Sequence, residues 1–228
     1  MYFNLLQGFY PTKCLLALYQ RIRGKVSYAA AVADAADEDE IIRLAESFAG
    51  TVRTMHSTDG SNSGLKSLKE LYRCHIAVNL FHDEKEKGVA LSILESIPDG
   101  NTVLHGDLHF GNVIRSGGKD YFIDLGNAAY GYHKFDLAMM AAIMSMHRHD
   151  GSDRFSRIYH CSYSRGELFY QSYLDALFGQ HTDIYALEEE LKPFIFLRLF
   201  SIENELNCHH LPFFDRLFAE TVERAGKL

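Results

Sequence analysis

Between residues 102 and 124 the chain changes its periodicity. Thr102-Val103-Leu104, Asn112-Val113-Ile114 and Tyr121-Phe122-Ile123 are short β-prone pieces parted by glycine-containing turns, while the sequence on both sides repeats its apolar residues at helical spacing. A chain with this pattern folds as helices gathered round a few strands. Gly117-Gly118-Lys119-Asp120 joins the last two pieces as a hairpin turn. It is not a Walker phosphate loop, which needs G-x-x-x-x-G-K-[ST] followed by a helix.

The helical parts follow from periodicity and punctuation. From Asp34 an acidic stretch (Asp37, Glu38, Asp39, Glu40) leads into Ile41, Leu44, Ala45, Phe48, Val52 and Met55, and acidic residues in a first turn favour the helix dipole. The loop 59–64 ends that helix. Further helices are predicted over 65–81, 85–97, 137–147, 165–178, 187–206 and 212–225, the last opening on Pro212. Residues 1 to about 30 read differently: the apolar run 15–19, preceded by Pro11 and followed by Arg23-Gly24, fits one or two strands.

Composition removes several classes of function. A hydrophobic fraction of 47% with 23% charged residues is that of an ordinary globular chain, so disorder is excluded. The formal net charge of -7, with no basic run, argues against a nucleic-acid partner and suits a cationic or neutral small molecule. Cys14, Cys74, Cys161 and Cys208 are far apart and form no C-x-x-C pair, so reduced structural thiols are expected. The longest nearly apolar run, 137–146, is too short to span a bilayer, and the first residues carry no positive segment. A cytoplasmic location with no membrane partner is the expectation.

The chemistry concentrates in the β-prone segment. His105, Asp107 and Asn112 form H-x-D-x-x-x-x-N between two strands, and Asp124 stands twelve residues beyond the asparagine at a strand end. Phosphoryl transfer is catalysed by positioning and charge neutralisation. It needs a carboxylate to orient the attacking hydroxyl and hard oxygen ligands for magnesium. His105 and His109 are four apart, but Gly106 and Gly111 make this a loop, and the glutamate of H-E-x-x-H is absent. His147, His149 and His209-His210 read as surface or partly buried helix-end residues. Glu188-Glu189-Glu190 reads as a solvated helix start, with attraction of a cationic substrate as the alternative.

The runs HGDLHFGN and FIDLGNAAYGYHKFDLA resemble the catalytic and metal-binding loops of the aminoglycoside phosphotransferase and choline kinase group, within the protein-kinase-like superfamily. The resemblance implies an α+β fold, a protein-kinase-like C-terminal helical lobe with a short catalytic β-hairpin region and a truncated N-terminal β lobe. Residues 1–30 would be the remnant of that lobe and the hinge, and 31–228 the catalytic lobe. It also implies roles: Asp107 as catalytic base with His105 bracing the loop, Asn112 and Asp124 as Mg2+ ligands, and Asp136 as a structural support. Gln20, Arg21 and Ile22 would stand at the adenine-binding hinge, with ATP as phosphate donor.

Two local features bear on the acceptor. Gly106 stands where many protein kinases place an arginine, and only 11 residues separate Asp124 from Asp136, too few for a long activation segment. A small molecule bearing a hydroxyl is therefore the expected acceptor. The glycine-rich loop and phosphate-binding lysine of the family are not found; Lys13 and Lys25 match by type only. The alternative is a non-catalytic remnant that binds nucleotide or a protein partner.

Overall fold

The computed structural model describes residues 24–151, 153–206 and 212–225. The readings placed on residues 15–19, Lys13, Cys14, Gln20, Arg21, Ile22, Cys208 and His209-His210 lie outside them.

Several helices begin behind a side-chain cap. α1 (Tyr28–Asp34) starts behind Ser27, whose hydroxyl accepts the Ala30 N–H, and α2 (Glu38–His56) behind Asp37, whose carboxylate accepts the Glu40 N–H. Glu38, Asp39 and Glu40 fill the first turn of α2. There they face unsatisfied N–H groups and the positive end of the helix dipole. α3 (Leu68–Val78) follows, and α4 (Glu84–Ser96) opens with a reciprocal box between Asp83 and Glu86. The chain turns helical at Tyr28, earlier than the expected Asp34. The alanine-rich run Ala29-Ala30-Ala31 supplies the propensity.

The strands are short. β1 (Val26–Ser27), β3 (Val113–Ser116) and β4 (Lys119–Phe122) form one antiparallel sheet in the order β1-β3-β4, and β2 (Thr102–Leu104) pairs with β5 (Ala129–Gly131). Ser116 faces Lys119 across the expected hairpin, and Gly117 and Gly118 take φ of 56° and 75°. A two-residue turn of this hand requires positive φ at both positions. β5 was not foreseen, and neither was the 3-10 turn Leu125–Asn127.

Helices complete the described chain: α5 (Lys134–Asp150), α6 (Arg154–Tyr159), α7 (Tyr163–Phe178), α8 (Ile184–Leu206) and α9 (Pro212–Ala225). α6 was not foreseen. No described helix is long and apolar enough to cross a membrane.

Aromatic packing carries the core up to the loop of interest. Phe48 of α2 is fully buried, with its ring 5.1 Å from Tyr28, 5.5 Å from Phe169 and 5.0 Å from Tyr173. Phe110 continues this cluster, stacking at 5.5 Å on Phe169 and 5.8 Å on Phe155, and its carbonyl accepts the Ala29 N–H at 3.0 Å. Leu108 is buried beside it. Leu108 and Phe110 thus anchor the 105–112 loop in the core.

A second cluster fastens α9. The His82 ring stacks at 4.5 Å on Phe200 and at 4.4 Å on Phe218, and these two rings are 6.4 Å from each other. Its Nε2 is 2.7 Å from Glu203 and its Nδ1 3.2 Å from Glu86, and Glu203 is fully buried. Burial alone would lower the His82 pKa, but the hydrogen bond and charge of Glu203, then those of Glu86, outweigh it and raise the value. The folded protein therefore binds this proton more tightly than the unfolded chain does. The stability it contributes is complete below the unfolded value of about 6.5 and is lost as pH rises through the raised folded value. Melting temperatures taken across neutral and mildly alkaline pH should fall in the wild type, and His82→Gln should flatten that slope.

Candidate active site

β2 delivers the chain into the loop, and one glycine sets its direction. Gly106 has φ +78°, and a Cβ built there would lie 2.0 Å from the Asn127 carbonyl oxygen, so only glycine fits. The backbone N–H groups on either side of this bend are gathered by one carboxylate. His105 N–H donates to Asp136 Oδ2 at 2.9 Å and Gly106 N–H to Oδ1 at 2.8 Å. Asp136 sits in the first turn of α5, 1% exposed, and His56 Nε2 of α2 lies 2.9 Å from its Oδ2. Asp136 is thus a support beneath the loop, and it points away from solvent.

His105 ties this loop to the next. Its Nδ1 accepts the Asp107 N–H at 3.3 Å, so the ring proton resides on Nε2, which donates to the Ile123 carbonyl at 2.9 Å. Ile123 in turn donates its N–H to the Asn112 carbonyl at 3.0 Å. Both backbone groups of the residue before Asp124 are therefore engaged by the 105–112 loop.

Asp107 is held on both carboxylate oxygens. Arg198 Nη2 donates to Oδ1 at 2.9 Å, and Asn112 Nδ2 lies 3.3 Å from Oδ2 while also donating to the Asp107 carbonyl at 2.9 Å. Asp124 is exposed, with φ 58° and ψ 52°, in the left-handed region that residues other than glycine seldom adopt. The structure thus places Asp107 and Asn112 in direct contact. Asp124 joins them through Ile123 and through His109, on which Asp107 and Asp124 both act electrostatically.

His109 itself is held down to a pKa of about 4, by burial first and foremost, with Asp107 opposing. It is a neutral ring packed edge-on against Tyr159 at 5.5 Å, and its Nδ1 accepts the Gly111 N–H at 3.0 Å. The two loop histidines thus serve the backbone.

The donor set suits a hard cation. The Asn112 amide nitrogen is engaged on Asp107, which leaves its oxygen, and the exposed Asp124 carboxylate adds two more. Oxygen donors of this kind are what magnesium takes.

Other charged residues singled out in the sequence have local partners. Glu188, Glu189 and Glu190 pair with Arg148, Lys192 and Lys134. They are not a free acidic surface. Glu188 and Glu189, with Arg148, Lys192 and Arg216, line a cavity of about 520 Å³ between α5, α8 and α9 that includes no residue of the 105–112 loop. Lys25 is exposed, and His147 stacks on Tyr163 at 3.7 Å. Sequence reasoning missed Arg198 and His56. Arg198 did carry a signal: one cation inside Phe194-Ile195-Phe196-Leu197-Arg198-Leu199-Phe200 demands a buried partner.

Among solved structures the chain is similar to a glucosamine kinase in complex with glucosamine, ADP and inorganic phosphate. That likeness has 14% identity and a TM-score of 0.44, over 89% of this chain and 61% of that one. It is also similar to the choline kinase LicA from Streptococcus pneumoniae, at 16% identity and a TM-score of 0.43, over 92% of this chain and 69% of that one. The chain therefore spans 61% of the length of the glucosamine kinase. No curated protein is significantly similar to it. Residues 3–173, about three quarters of the chain, match the model of the phosphotransferase enzyme family (APH), and the match takes in both loops that Ile123 joins. On that extent of agreement, the chain belongs to the phosphotransferase enzyme family.

Proposed function

We propose that this chain carries the catalytic residues of an ATP- and Mg2+-dependent phosphotransferase that moves a γ-phosphoryl group onto a hydroxyl of a small molecule. The observation that carries the reading is the Asp107 carboxylate, fixed on both oxygens in a loop whose backbone is locked by Asp136. In this reading Asp107 accepts the proton of the attacking hydroxyl as its oxygen bonds to phosphorus and the bond to the bridging oxygen of ADP breaks. His105 holds the Asp107 backbone in place. Asn112 and Asp124 are the residues that would hold magnesium, which when bound neutralises charge on the phosphates. Gln20, Arg21 and Ile22 remain the proposed contacts to the adenine, and residues 1–30 the proposed hinge and small-lobe segment.

A small acceptor fits the short span between Asp124 and Asp136, which the structure fills with the 3-10 turn, β5 and the start of α5. No peptide-binding segment is inserted there. An aminoglycoside or another polycation is not specifically favoured, because Glu188, Glu189 and Glu190 already have basic partners.

Nucleotide binding is read by thermal melting. A ligand present at a hundred times its dissociation constant adds about 2.7 kcal/mol to the folded state. Magnesium with ATP should therefore raise the melting temperature, and Asp124→Ala should abolish the rise. No shift at millimolar nucleotide would leave the family fold without the proposed donor. For the chemical step, Asp107→Ala should remove phosphoryl transfer while the nucleotide-induced shift persists. Undiminished transfer in that variant takes Asp107 out of the mechanism.

A further inference from the structure

We propose that Arg198 of α8 is a positioning residue for phosphoryl transfer, holding the Asp107 carboxylate in the orientation that receives the acceptor proton; this rests on the reading of Asp107 as the base. Arg198 is 4% exposed and lies within an apolar stretch whose neighbours Phe196, Leu197, Leu199 and Phe200 are all buried. Among the described residues its one salt bridge is to Asp107, 91 positions earlier in the chain, at 2.9 Å. The guanidinium Nε is buried with no hydrogen-bond partner, and the fully buried Tyr72 hydroxyl lies against the same group.

Stability does not account for a cation in this place. Replacing a buried ion pair by apolar side chains of similar volume is commonly neutral or stabilising, and the Arg198 guanidinium keeps one nitrogen unbonded although it also meets the Tyr72 hydroxyl. What the arrangement does accomplish is geometric. Asn112 fixes Oδ2, and Arg198 fixes Oδ1, so the carboxylate plane has no free rotation. A terminal carboxylate torsion is broad and soft unless both ends are held. A misdirected base loses rate in the chemical step and leaves nucleotide binding intact. α8 thereby reaches into the reaction centre through one side chain.

The test uses the full chain with magnesium and ATP, and transfer to water as the simplest hydroxyl. The water oxygen bonds to the γ-phosphorus, the bond to the bridging oxygen of ADP breaks, and the water proton passes to Asp107 and then to bulk solvent. Arg198→Met should lower kcat by about ten- to a hundredfold while KM for the nucleotide stays within about twofold. Arg198→Lys, which keeps the charge, should recover most of the lost rate. If Arg198→Met does not fold, Arg198→Gln takes its place against Arg198→Lys. A wild-type kcat in the neutral variant overturns the positioning role, as does a fall in kcat, KM and melting temperature together that lysine does not rescue. An unmodified chain that binds nucleotide and transfers nothing sinks the reading of Asp107 itself, and the positioning role with it.

Discussion

The arrangement around Asp107 depends on one buried carboxylate taking two backbone protons. Asp136 receives the N–H groups of His105 and Gly106, which are exposed by the sharp bend at Gly106 and have no strand partner. Unpaired in the interior, each would cost on the order of a hydrogen bond's desolvation, about 1–3 kcal/mol. The carboxylate is itself buried and is acceptable there because it collects three donors, the third from His56. Because Asp136 belongs to the first turn of α5, the bend in the loop is set by a helix, and α5 is in turn packed on α8 through contacts such as Phe135 with Phe194. Asp107 inherits its place from that chain of contacts.

Charge neutralisation is handled locally throughout the helical part. The net charge of -7 gives no acidic face at Glu188–Glu189–Glu190, where each carboxylate meets a lysine or arginine. Such pairing removes the uncompensated field that would draw in a polycation. Arg198, by contrast, is buried and turned inward upon Asp107.

Much of the fold was legible because its signals are local. The acidic first turn before Ile41, the Gly117-Gly118 turn and the helical stripe of Ile41, Leu44, Phe48 and Val52 depend on neighbours in sequence, and the hairpin and α2 formed there. β5 was hidden because three residues carry no periodicity; Ala129–Gly131 is a strand only because β2 lies beside it. α6, six residues long, fails for the same reason. The motif residues His105, Asp107, Asn112 and Asp124 were readable from spacing, whereas His56 and Arg198 enter through tertiary contacts across 80 and 91 positions. No window of sequence contains both members of such pairs.

Ile123 lends both of its peptide groups to the preceding loop, its N–H to Asn112 and its C=O to His105. Two segments stitched in both directions by one residue cannot slide past each other without breaking both bonds at once. A displacement of the 105–112 loop is therefore passed directly to the backbone that carries Asp124.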